Sequence, residues 1–197
     1  MVSAMVEFTV LKTKIQIGFL FTATLSLLSL MDKSGSVFLS VAFSLLHELG
    51  HITAMAICKE QIDSLTFHPF GISMKLKSSS ALSFGEEIFV LLSGCAVNLI
   101  FVILPTPPTV TYVNMGILLF NILPIANLDG GRVTRLFFTR FFGERTGNIA
   151  SDAVSFAFLL PISALAFYVT IQSGQFSLLV CAVYLAIITI FKRDKLA

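Results

Sequence analysis

Charge is what this sequence has least of. Acidic and basic side chains together make up 12% of its 197 residues, and the mean hydropathy is +0.92. A soluble domain carries about 25% charge, so too little polar surface is available to coat a globule in water. Cysteine is also scarce. Cys58, Cys95 and Cys181 all fall in or beside apolar stretches, which excludes a disulfide framework and a C-x-x-C metal site and leaves core-filling thiols. There is no internal repeat, no low-complexity tract and no convincing cleavable signal, since the first apolar run has no small-residue cleavage site and others follow it. Nothing in the composition suits a nucleic-acid partner.

What the chain does have is apolar runs. Six are expected to form helices, at 15–31, 36–58, 87–104, 110–128, 153–171 and 176–191. A span of about 20 residues crosses a bilayer, so the expected class is an all-α membrane protein of six transmembrane helices. It forms one domain over 1–197 with no soluble appendage. Asp32-Lys33-Ser34-Gly35, Pro105-Thr106-Pro107-Pro108 and Ser173-Gly174 punctuate the runs. Twelve of the thirteen lysines and arginines fall on one side of such a topology, Lys33 being the exception. The positive-inside rule assigns that side to the cytoplasm, with both termini, in a multi-pass protein of the cell membrane.

Two segments lie outside the runs. Residues 61–77 alternate apolar and polar positions around His68-Pro69-Phe70-Gly71, which reads as a short β-hairpin at the cytoplasmic face. Residues 132–150 set Phe137, Phe138, Phe141 and Phe142 among arginines, the pattern of an interfacial amphipathic segment packing on headgroups.

The second run contains His47-Glu48-Leu49-Gly50-His51. The i, i+4 spacing puts both imidazoles on one helix face, where they can hold a single ion, with Glu48 beside them. Zinc prefers nitrogen ligands in a tetrahedron, and a catalytic site leaves one position for water. The metal lowers the pKa of that water toward 7, and Glu48 can take its proton. Three ionisable groups in an apolar helix, each costing about 2–3 kcal/mol on insertion scales, call for a compensating use. The bland alternative is a buried polar cluster that ties helices together or lines a proton path.

A third ligand is required. Glu60, Asp63 and His68 are nearby, and Ile57 stands where a metzincin would place its third histidine. Asp129 is the better choice. It ends the run Asn121-Ile122-Leu123-Pro124-Ile125-Ala126-Asn127-Leu128-Asp129-Gly130-Gly131, where Pro124 and the glycines break the helix. Broken backbone at membrane depth is expected where it lines a polar cavity. His51 is about seven residues, or roughly 10 Å, from the cytoplasmic end of its helix, and Asp129 approaches that level from the same side. A cap or a partner of Arg132 is the alternative for Asp129. Asn98, mid-span after Ser93-Gly94-Cys95, either hydrogen-bonds across helices or donates to an oxyanion.

These residues resemble the site-2 protease family of intramembrane zinc metalloproteases. HELGH in an apolar helix and N-I-L-P-I-A-N-L-D-G-G-R carry the likeness, which covers about residues 14–135. The two further helices, at about 153–191, match only in being apolar. The resemblance implies His47, His51 and Asp129 as zinc ligands and Glu48 as general base. It implies a substrate or oxyanion contact for Asn98, in Gly94-Cys95-Ala96-Val97-Asn98, where Cys95 replaces the family's proline. It also implies a membrane-protein substrate able to pair with the segment around Pro69-Phe70-Gly71. A PDZ or nucleotide-sensing domain does not fit in the chain. The compact form is similar to the sporulation branch that releases a membrane-tethered sigma factor, and regulatory membrane proteins are partners to expect. The rival functions are a metal or proton transporter and a non-catalytic relative that binds membrane proteins.

Overall fold

The computed structural model describes residues 5–10, 13–18, 35–60, 62–68, 71–76, 82–126, 128–174 and 177–193. Contacts divide the chain into two compact units, 1–118 and 119–197.

The first unit contains a four-stranded sheet and two long helices. Strands β1 (Met5–Val10), β2 (Thr13–Gly18), β3 (Ile62–His68) and β4 (Gly71–Leu76) lie in the order β1-β2-β3-β4. β1 and β2 are antiparallel, β2 and β3 parallel, and β3 and β4 antiparallel, with Phe67 opposite Ile72 and a register shift between Ile62 and Ser64. The parallel pair requires a crossover, which helix α1 (Ser36–Ile57) supplies in part. The helix expected over 15–31 therefore does not begin at Ile15. Lys14, Ile15, Gln16 and Ile17 alternate polar and apolar, and β2 pairs them with Ser64, Leu65, Thr66 and Phe67. Residues 19–31 of that expected helix lie outside the described residues.

Helix α1 buries Phe43, His47, Gly50, His51, Ala54 and Met55, one stripe at helical spacing, and exposes Leu45, Leu46 and Leu49. Its stripe packs on helix α2 (Phe84–Ile103), which buries Val90, Gly94, Cys95 and Asn98. The approach is close because Gly50 lacks a side chain. A Cβ there would stand 2.8 Å from the Ser93 carbonyl oxygen and from Val97 Cγ2. Small residues at a crossing are how membrane helices gain packing without a hydrophobic drive. Phe43 closes the far end edge-on to Phe101, with centroids 4.9 Å apart. A capping box starts α2: Ser83 Oγ accepts from the Glu86 backbone N–H, and the Ser83 N–H donates to the Glu86 carboxylate at 2.8 Å.

Helix α3 (Pro108–Ile122) ends earlier than its apolar run, which continues to 128. Pro124 has no N–H to offer and biases Leu123 away from the helical region. The freed groups close tight turns instead. The N–H of Ile125 donates to Leu123 and that of Leu128 to Ile125, both at 2.8 Å.

In the second unit, helix α4 (Asp129–Phe142) follows, then α5 (Glu144–Ser173) and α6 (Ser177–Arg193). The amphipathic segment expected over 132–150 is thus part of two helices that meet at Gly143. Ile125 and Leu128 pack with Leu159 and Leu185, holding the broken segment against α5 and α6. The single Ser155 hydroxyl proton lies between two carbonyls, Ser151 at 2.9 Å and Pro124 at 3.2 Å.

Among the described residues, α1, α2 and α5 are long and apolar enough to cross a membrane, and the apolar stretches Pro108–Ile122 and Leu178–Ile187 are shorter. Six full spans are not seen among the described residues: Pro124 shortens the fourth run, the apolar part described for the sixth is Leu178–Ile187, and strand β2 takes the start of the first, whose remainder is not described. Polarity is inverted relative to a soluble protein. Asn98, Asn114 and Ser155 are 0% exposed, while Ile103 is 73% and Phe38 75% exposed. That inversion, with the three long apolar helices, is the pattern of a membrane protein.

Candidate metal centre

His47 and His51 lie one turn apart on the buried stripe of α1, as their spacing requires. Each imidazole is held by its Nδ1. His47 Nδ1 is 2.6 Å from Asn98 Oδ1, and His51 Nδ1 is 2.7 Å from the Val90 carbonyl oxygen. Both acceptors come from α2 and neither can donate, so each Nδ1 carries the proton. Each Nε2 then presents a lone pair. The two Nε2 atoms stand 3.2 Å apart.

Two lone pairs at that distance repel each other unless something positive lies between or beside them. Two nitrogen ligands about 2.0–2.1 Å from one ion at the tetrahedral angle stand roughly 3.3 Å apart. The pair therefore fits a zinc ion, and the partners of Nδ1 are what metal-bound histidines ordinarily have. Space in front of the pair is kept open by Gly94. A Cβ on that residue would lie 2.7 Å from His47 Nε2 and would run into His51 Nε2.

Glu48 is next along α1 and half-buried. Asp129 opens α4, whose N-cap position is taken by Leu128 without a side-chain bond. A carboxylate in the first turn is favoured by the helix dipole, yet this one is only 6% exposed. His47, His51 and Asp129 are all buried, the two histidines in the first unit and Asp129 in the second. Glu60 is half-buried. The side chains of Asp63 and His68 lie outside the described residues.

Asn98 is not aimed at solvent or an open cleft. Its oxygen accepts from His47, and its Nδ2 donates to Asn114 Oδ1 at 2.9 Å. Both ends of the amide thus make hydrogen bonds across helices, one of the two readings the sequence leaves open for it. Three participants were not read from sequence: Asn114, Gly94 and the Val90 carbonyl. The signal for Asn114 was present, a lone amide in an apolar run, the same signal that drew attention to Asn98. None of the three cysteines is in a disulfide, and Cys95 is buried.

No family model matches the sequence, and no curated protein does. The structure matches that of a site-2 protease from Methanocaldococcus jannaschii with a TM-score of 0.64. The match covers 92% of each chain at 18% sequence identity. The chain has the site-2 protease fold. Among the described residues of the first unit, the buried polar side chains are the two histidines and the two asparagines behind them, in helices whose outer faces are leucine, isoleucine and phenylalanine.

Proposed function

We propose that the chain is an intramembrane zinc metalloprotease. The observation that carries the reading is the pair of buried imidazoles, each tied down at Nδ1 and facing the other through Nε2 at 3.2 Å. His47 and His51 would supply two neutral nitrogens and Asp129 an anionic oxygen, a donor set suited to zinc. Zinc, when bound, would polarise a peptide carbonyl and acidify a water molecule. Glu48 takes the proton from water as its oxygen bonds to the carbonyl carbon. Glu48 then gives that proton to the amine as the C–N bond breaks. A helical substrate must unwind first, because its amides are already hydrogen-bonded. Strand β4 is an edge of the sheet, and an unwound segment would add to it as a further strand.

The substrate is a membrane protein, and by resemblance a membrane-tethered transcription factor such as a sporulation sigma factor. The basic side, with both termini, faces the cytoplasm by the charge partition.

The test is Glu48→Gln, co-expressed with a membrane-tethered substrate. Cleavage should be lost while bound zinc per chain is kept. Undiminished cleavage rejects Glu48 as the base, and altered metal flux with no proteolysis in either form indicates a transporter.

A further inference from the structure

Asn114 is 0% exposed in the middle of an apolar helix, and both ends of its amide are engaged. Its Nδ2 donates to the Val110 carbonyl at 2.9 Å, one turn back on α3. A carbonyl only accepts, so this bond fixes which end of the amide points where. Oδ1 must then face Asn98, which must present its Nδ2, at 2.9 Å. Asn98 in turn must present its oxygen to His47 Nδ1, at 2.6 Å. The direction of the whole series is set at Val110 and delivered to the imidazole.

The alternative state is concrete. Turning Asn98 over would set its oxygen against Asn114 Oδ1, two acceptors in contact between residues that are both 0% exposed. Without Asn114 that penalty is gone. Asn98 could then donate to His47 Nδ1, and the ring proton would move to Nε2, where it blocks metal binding. We infer that Asn114 is a positioning residue that holds His47, through Asn98, in the tautomer whose Nε2 is free to bind a cation. This rests on the reading of His47 as a metal ligand. It makes Asn98 a positioning residue as well.

Zinc affinity of the full-length protein in detergent, measured by competition with a chromophoric chelator, tests it. Asn114→Leu should weaken zinc binding about 10- to 100-fold, the range for partners that orient a metal-bound histidine. Asn114→Asp, neutral at a fully buried position, can donate its acid proton to the Val110 carbonyl and still accept from Asn98, and should stay within a few-fold of the parent. The decisive variant is Asn98→Asp combined with Asn114→Leu. A carboxylate at 98 can only accept, so His47 keeps its Nδ1 proton whatever stands at 114, and the double variant should recover most of the lost affinity. If Asn114 matters only by packing, Asn98→Asp gives no recovery and the inference is overturned. It is also overturned if Asn114→Leu binds zinc as the parent does. His47→Ala separates the two layers. Zinc affinity unchanged in His47→Ala removes the metal-site reading itself. A large loss there with none in Asn114→Leu removes only the relay.

Discussion

Gly94→Ala is the smallest change that tests whether the space between the histidines belongs to a metal. The added methyl would stand 2.7 Å from His47 Nε2 and closer still to His51 Nε2. Ordinary contact needs roughly 3.5 Å or more between such atoms, so something must move by most of an ångström. The rings cannot turn away freely, because that would break the bonds from Nδ1 to Asn98 and to the Val90 carbonyl. The helices cannot separate freely either, since Gly50 has already drawn α1 onto the Ser93 carbonyl. Overpacking of this kind costs about 1–3 kcal/mol. If that cost falls on the metal-bound state, it corresponds to about a 5- to 150-fold loss in zinc affinity at 1.4 kcal/mol per decade. Zinc per folded chain, read by mass spectrometry after dialysis against a graded chelator series, measures it. Cleavage should fall at least in step, because a displaced reacting group alone can cost about 100-fold. An alanine variant that binds zinc as tightly as the parent would show that the gap in front of the two Nε2 atoms is not where the ion sits.

Asp129→Ala should lower bound zinc per chain, by metal analysis of the purified protein. Unchanged stoichiometry would move the third ligand to Glu60, Asp63 or His68. Ser155→Ala removes the donor shared by the Ser151 and Pro124 carbonyls and should cost about 0.5–1.5 kcal/mol, read as a lower midpoint in thermal unfolding. The bond is redundant if the midpoint does not move. Ser83→Ala removes the cap of α2 and should cost about 0.5–2 kcal/mol without changing zinc affinity. A zinc defect in that variant would mean that the start of α2 is coupled to the site.

The HELGH motif was legible because an i, i+4 pair and its consequences are local. Two imidazoles separated by four residues share a helix face whatever the rest of the chain does. The partners that make them ligands are not local. Val90 is 39 residues from His51 and Asn98 is 51 from His47, and no spacing rule connects them. Asn98 was visible as a costly amide in an apolar helix, but its role was not, since that depends on which end of the amide Asn114 leaves free. The end of α3 was only half legible. The apolar run continues past Pro124, so hydropathy extended the helix while backbone chemistry ended it at Ile122. Strand β2 was missed for a related reason. Ile15 and Ile17 counted toward an apolar run, although their alternation with Lys14 and Gln16 is a strand pattern that gains meaning only when β1 and β3 are there to pair with it.

X-ray absorption at the zinc edge, on the purified zinc-loaded protein, is the most direct measurement of whether one ion is held by His47, His51 and a carboxylate. Two imidazole shells with nitrogen at about 2.0–2.1 Å and further oxygen at about 2.0–2.2 Å are expected, falling to one imidazole in His51→Ala. A sulfur shell near 2.3 Å, or an imidazole count that His51→Ala leaves unchanged, would contradict it.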